Sequence, residues 1–386
     1  MQLIENTEDL DKLCRTLSGE KFICVDLEFL REHTYFAKLC LIQVASSNTE
    51  AIIDPLADKI DLKSFFDLMQ NQSVTKVFHS GRQDIEIIYN MSGHVPSPLF
   101  DTQIAAQAAG FGESASYENL VSHLLHINLD KSSRLSDWSK RPLSDNQLNY
   151  AISDVTHLVH IYNKLADFLE TEGRTEWIKD ELEALGDVRL YKIVPEDIWQ
   201  KMRHRSHNAL FLTTLRELAA WREMRAMRKD VPRQSFIKDD TLLNICAGRP
   251  SSKEELAGIR GMRPDLAMGK IGDEIIEVLQ KVKSLPKENY VIPPKIKDLP
   301  NSDNSMAELL KLLLKIVAQE QRIVPKMLAC EEELRLFCHQ EYENIAFLRG
   351  WRYDIFGRRA EKLCQGKTAI AYNPKNRKID FIDLAE

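Results

Sequence analysis

The chain has 386 residues, 44% of them hydrophobic and 28% charged, and a net charge of −6. That is the balance of a soluble globular protein, too long for one ordinary core, so two or three domains are expected. No apolar run nears the ~20 residues of a membrane span, and the acidic N-terminus lacks the basic-then-apolar pattern of a secretory signal.

The seven cysteines are scattered, with no Cys-x-x-Cys pair. That argues against a zinc ribbon or disulfide scaffold and suits a reduced, cytoplasmic setting. Charge is uneven along the chain. Residues 1–195 hold 18 Lys and Arg against 30 Asp and Glu; the remainder holds 34 against 28. An acidic half joined to a basic half suits an anionic polymer held by one part and cut by the other, or surface charge drifting between domains.

Residues 21–26, 38–46 and 51–54 read as three consecutive strands, the last two joined by a turn at 47–50. Helical periodicity follows over 61–70. A short strand spans 75–78, and helices are expected at about 82–90, 101–109 and 116–126. Residues 131–142 are irregular and polar. Ser144 then caps a long helix through about Glu170. The order predicts a mixed α/β sheet of about five strands. Beyond about residue 190 only helices are read, within 206–284 and again within 303–350. A proline- and lysine-rich linker at 284–300 separates them. Residues 367–380 read as a short hairpin or an extended tail.

The first strand runs from Phe22 to Val25 straight into Asp26-Leu27-Glu28. In a strand, residues i and i+2 share a face, so the two carboxylates project together. Like charges that close repel unless a cation lies between them, and oxygen ligands suit a divalent metal. Asp84 opens a helix just after a strand, where the helix N-terminus also supports a carboxylate. Tyr150 and Asp154, spaced i,i+4, share one face of the long helix. Four carboxylates with a phenol beside them would make the cluster that two-metal phosphodiester hydrolysis requires.

Val25-Asp-Leu-Glu-Phe29, His79-x4-Asp84 and Tyr150-x3-Asp154 resemble the three motifs of the DEDDy 3′→5′ exonucleases, and most closely those of the bacterial ribonuclease D family. The likeness continues through Thr34-Tyr35, Leu41-Ile42-Gln43, Ile53-Asp54-Pro55-Leu56, Asp101-Thr102-Gln103 and Ser136-Asp137-Trp138-x2-Arg141-Pro142-Leu143. Leu218-Ala-Ala-Trp-Arg-Glu with Arg228-Lys-Asp-Val-Pro-Arg233 resembles the opening of an HRDC domain.

The resemblance implies a ribonuclease-H-like exonuclease domain at 1–195 and two all-α HRDC-type domains at 206–286 and 300–386. It implies two ions per site, Mg²⁺ or Mn²⁺. Asp26 should bridge both, Glu28 and Asp154 should complete the nucleophile-side ion, and Asp84 should support the other directly or through water. Tyr150 should orient the attacking water. The activity implied is 3′→5′ trimming of RNA such as tRNA precursors, with release of nucleoside 5′-monophosphates, by an enzyme expected to be monomeric. A single-strand DNA exonuclease and a non-catalytic RNA-binding scaffold are the alternatives.

Other positions are candidates for substrate contact. Leu27 and Phe29 either wedge against the terminal base or pack in the core, and Gln43 touches the nucleic acid or the sheet edge. His79 is expected to place Asp84. Lys131, Arg134, Trp138, Lys140 and Arg141 lie in or beside the irregular segment, where the cations suit a substrate backbone. Arg222, Arg225 and Lys229 form one helical stripe, and Arg349, Arg352, Arg358 and Arg359 lie among Trp351, Tyr353 and Phe356. Basic groups among aromatics suit RNA or a solvated helix face.

Overall fold

The computed structural model describes residues 2–129, 136–293, 304–375 and 377–384. The chain opens with β1 (Gln2–Ile4) and α1 (Thr7–Leu17), the latter capped by the Asn6 side chain accepting from the Asp9 N–H. Next come β2 (Phe22–Leu30), β3 (Lys38–Ala45), β4 (Glu50–Ile53), α2 (Lys63–Met69), β5 (Thr75–Phe78), α3 (Arg82–Ser92), β6 (Leu99–Asp101) and α4 (Thr102–Ala108). Then α5 (Tyr117–Leu120) leads to the long α6 (Asp145–Thr171), started by a reciprocal Ser144–Gln147 capping box, and α7 (Lys179–Leu185).

The six strands form one mixed sheet in the order β1-β4-β3-β2-β5-β6. β1 runs parallel to β4, β3 antiparallel to β4, and β2, β5 and β6 are mutually parallel. The sheet has six strands where about five were expected: the four read from the sequence gain two edge strands, β1 and β6, each only three residues long and so without readable alternation. β2 also continues through Leu30, so Asp26 and Glu28 sit within the strand and not at its end. Alternation explains this: Leu27 is buried on the opposite face and keeps the strand packed.

Six helices follow: α8 (Ala209–Lys229), α9 (Arg233–Phe236), α10 (Asp239–Gly248), α11 (Lys253–Ala257), α12 (Pro264–Met268) and α13 (Lys270–Ser284). The remainder holds α14 (Asn304–Gln321), α15 (Pro325–Leu328), α16 (Glu331–Cys338), α17 (Gly350–Arg352) and α18 (Arg358–Cys364), then an antiparallel hairpin of β7 (Thr368–Asn373) and β8 (Lys378–Asp383).

These elements gather into two compact units, one of residues 1–27, 41–187 and 298–386, the other of 28–40 and 188–297. The division cuts through β2 and β3, each of which is one continuous strand.

In the first unit α6 lies on the sheet, its Val155, Leu158 and Val159 packed with Cys24, Ala45 and Val77. The C-terminal helices do not build a separate core there. Leu310, Val317, Phe347 and Phe356 share one apolar cluster with Ala105, Leu120, Ile161 and Leu165. Trp177 stacks on Trp351 at 4.7 Å between ring centroids, inclined by 10°. In the second unit Leu215, Leu218, Ile245, Leu256 and Ile275 form the core of the α8–α13 bundle. No helix among the described residues is long and apolar enough to cross a membrane.

Candidate active site

Asp26 and Glu28 project from the same face of β2, and α6 brings Asp154 to them. One carboxylate oxygen from each of the three lies within 4.8 Å of the others. All three residues are half-buried. Burial pushes the Asp26 carboxyl up to about 7, against a smaller opposing effect of the Leu27 backbone N–H. A set made only of carboxylate oxygens, packed this closely, fits a hard divalent cation.

Asp84 stands outside that trio but within its field. It is buried in the first turn of α3. Burial raises its carboxyl well above the usual range, and the charges of Asp26 and Asp101 raise it further. The turn that delivers it is tightly built. Ser80 takes the left-handed region at φ 55°. A Cβ on Gly81 would come within 2.4 Å of the Phe78 Cβ, so only glycine fits there. Asp101 holds this turn, its carboxylate accepting from the backbone N–H of Ser80 at 3.2 Å and Gly81 at 2.8 Å. The same carboxylate caps α4 through Gln103 and Ile104.

Tyr150 lies one turn before Asp154 on α6. The ring of Trp138, almost fully buried, stands 6.1 Å from the Tyr150 ring. Tyr117 fixes the helix at this point, its hydroxyl donating to the backbone carbonyls of Ser153 and Asp154. The His79 ring lies 5.5 Å from that of Tyr117, tilted by 58°, and hydrogen-bonds through Nδ1 to the Thr102 hydroxyl at 3.0 Å. Asp101 and Thr102 stood in the sequence only as part of a resemblance, and Tyr117 carried no signal. A hydroxyl aimed at a helix carbonyl leaves no pattern in the chain.

The other candidates divide. Leu27 and Phe29 point to the face opposite the acids, Leu27 being buried. Gln43 is buried on β3. Lys131 and Arg134 lie outside the described residues. Lys140 is exposed, close to Asp137. Arg141 is not turned to a substrate backbone. It makes a bidentate pair with Asp54, at 2.5 and 2.6 Å, and donates to the carbonyls of Trp138 and Lys140, pinning the segment before α6 to the end of β4.

Two expected phosphate contacts are corrected outright. Arg222 is 1% exposed and donates to the Ile237 carbonyl and to Asp239. Arg352 is buried and pairs with Asp180 and Glu181 while donating to the Met327 carbonyl. Arg225 binds Glu274 at 2.6 Å, Arg358 binds Asp354 at 2.9 Å and Arg359 binds Glu320 at 2.7 Å. Lys229 and Arg349 are exposed.

Residues 1–170 match the family model described as 3′-5′ exonuclease, and residues 211–279 match the HRDC domain model. A 3′→5′ exonuclease domain joined to a helical HRDC domain is therefore the class. Of the two expected HRDC domains, only this first one is matched.

Ribonuclease D of Granulibacter bethesdensis is 39% identical over 98% of this chain and 96% of its own length. That of Bartonella henselae is 40% identical over 100% and 94%. The crystal structure of Escherichia coli RNase D superposes with a TM-score of 0.81 at 27% identity, covering 95% of this chain and 98% of that one. The chain belongs to the ribonuclease D family and is a 3′→5′ exoribonuclease.

Proposed function

We propose that Asp26, Glu28, Asp84 and Asp154 hold two divalent cations, Mg²⁺ or Mn²⁺, with Asp26 shared between them. The observation that carries this is the convergence of three carboxylate oxygens within 4.8 Å. Bound there, such ions polarise the scissile phosphate and make water a competent nucleophile near neutral pH. The side chains do the rest. Glu28 and Asp154 fix the nucleophile's side, and Tyr150 orients the attacking water as a neutral hydrogen-bonding phenol. Attack in line on the last phosphodiester releases a nucleoside 5′-monophosphate, and no covalent intermediate is required.

The substrate class is RNA with a single-stranded 3′ end, tRNA precursors among them. The similarity to Escherichia coli RNase D, described as an exoribonuclease involved in structured RNA processing, supports this. The exonuclease domain is assigned to 1–195 and the HRDC domain to 206–286, with the helices of 300–386 joined to the exonuclease core, within a monomeric, cytoplasmic enzyme. Lys229 and Arg349 remain as phosphate contacts because they are exposed. Calorimetric titration with Mn²⁺ tests the ion count: two ions per chain are expected, and one or none sinks the shared-ligand reading. Matched RNA and DNA oligomers test the sugar; faster loss of DNA would contradict the substrate class.

A further inference from the structure

Tyr117 is the first residue of α5, which the Ser116 side chain caps by accepting from the Asn119 N–H. Its hydroxyl crosses to α6 and donates to the backbone carbonyls of Ser153 and Asp154. Neither carbonyl needs that donor. Both lie well inside α6, where each already accepts the helix N–H four residues on. A phenylalanine would fill the same space with no hydroxyl to desolvate. The extra donor therefore calls for a reason beyond packing.

Extra donors gather on this one turn of α6. The Ser153 hydroxyl donates to the Tyr150 carbonyl at 2.6 Å. Hydroxyls that bond helix carbonyls often bend the helix locally. The turn they shape carries Tyr150 and Asp154, the two α6 residues of the site. Burial raises the Tyr117 phenol well above its usual range, and the charges of Asp154 and Asp26 raise it further, so it keeps its proton and donates.

The phenol is anchored on its other side. The carbonyl of Ala115, two residues before it, accepts from Gln103 Nε2 at 3.2 Å. The Gln103 N–H is held in turn by the Asp101 carboxylate at 2.8 Å. That carboxylate also accepts from Ser80 and Gly81, in the turn that delivers Asp84. Asp101, Gln103 and Tyr117 thus tie the turn before Asp84 to the backbone of Asp154. A bound cation tolerates ligand distances only within about 0.2 Å, so small shifts of a ligand's backbone matter.

Resting on the ion-binding reading above, we propose that Tyr117 is a positioning residue: its hydroxyl, tied to the Asp84 turn, sets the α6 backbone at Asp154 and so the place from which that carboxylate meets its cation. Removing a partner that orients a metal ligand typically lowers metal affinity 10–100-fold.

The test uses the full chain, reading Mn²⁺ affinity by calorimetry at a temperature where each variant is folded, and the thermal midpoint in chelator. Tyr117→Phe removes only the hydroxyl. The expected result is Mn²⁺ binding weakened about 10-fold. Mn²⁺ affinity within twofold of the wild type overturns the proposal, and a lowered midpoint beside it marks the hydroxyl as structural. Gln103→Leu decides the matter if Tyr117→Phe does not fold. It leaves α6 untouched and frees the segment that carries Tyr117, so a loss of affinity greater than twofold is expected and a smaller one overturns the proposal. Asp154→Ala separates the two readings. Wild type that takes up no Mn²⁺ sinks the ion site itself. Mn²⁺ binding lost in Asp154→Ala and kept in Tyr117→Phe sinks only the role of Tyr117.

Discussion

The Tyr35 hydroxyl donates a hydrogen bond to the carboxylate of Glu223, a side chain only 2% exposed. Tyr35 lies in the segment that follows β2, the strand of Asp26 and Glu28, and Glu223 lies on α8 of the HRDC domain. Arg233 adds a contact to Glu223 at 3.3 Å. At the C-terminal end of α8, Asp230 takes the left-handed region at φ 48° and accepts from the backbone N–H of Tyr35 and Phe36, both at 3.0 Å.

Tyr35→Phe should lower stability by roughly 1.5–3 kcal/mol, the range for a hydrogen bond to a charged group. Asp230→Gly keeps the backbone geometry but frees both amides. Hydrogen exchange at Tyr35 and Phe36 should then speed up while the α8 core stays protected. Unchanged exchange at those two amides would mean the contact holds nothing.

Without metal, the site should make the protein sensitive to pH in a defined sense. Burial raises Asp26 to about 7 from an ordinary value of 3.8, so between these values the folded chain binds a proton that the unfolded chain has released. Stability in chelator should therefore fall as pH climbs from about 4 to about 7, then level off. Asp84 shifts in the same direction. Asp26→Asn should flatten the profile and raise the chelated midpoint at pH 8. Thermal melts across this range, with and without Mg²⁺, check it; a wild-type midpoint that rises from pH 4 to 7 in chelator would contradict the assignment.

The carboxylates were legible because strand alternation and helical spacing fix which side chains share a face, as with Asp26 and Glu28 or Tyr150 and Asp154. Charge was a poorer guide. Arg222 and Arg352 read as phosphate contacts, yet both are buried on partners distant in the chain. Lys76 is more extreme: it is wholly buried in β5, its ammonium donating to the carbonyls of Asn71, Val74 and Ser97, and burial pushes it down to about 8. Whether a cation faces water depends on acceptors that sequence spacing does not reveal. The shared core of the C-terminal helices was hidden for the same reason, since Trp177 and Trp351 meet across 174 residues of chain.

Removing Arg352 should expose that shared core. Its guanidinium pairs with Asp180 and Glu181 and lies 4.6 Å from the Trp351 ring centroid. Arg352 is buried but its partners are partly exposed, Asp180 at 65% and Glu181 at 29%, so losing its charged hydrogen bonds costs about 1.5–3 kcal/mol. Arg352→Ala should lower the thermal midpoint by several degrees and open cleavage sites around α7 to limited proteolysis.

RNA affinity should respond elsewhere. Lys229→Glu and Arg349→Glu should each weaken RNA retention and reduce the slope of log K against log salt by about 1, with no loss of thermal stability. Filter binding across a salt series reads this. A slope unchanged in both variants removes them from the RNA surface.

The central claim is that the Asp26 carboxylate is indispensable to metal-dependent trimming from the 3′ end. The direct measurement follows 5′-labelled RNA with wild type and Asp26→Ala, in Mg²⁺ and in chelator. The account predicts stepwise shortening and nucleoside 5′-monophosphate release by the wild type in Mg²⁺ alone, and none by Asp26→Ala. Shortening by Asp26→Ala at the wild-type rate, or by the wild type in chelator, would contradict it.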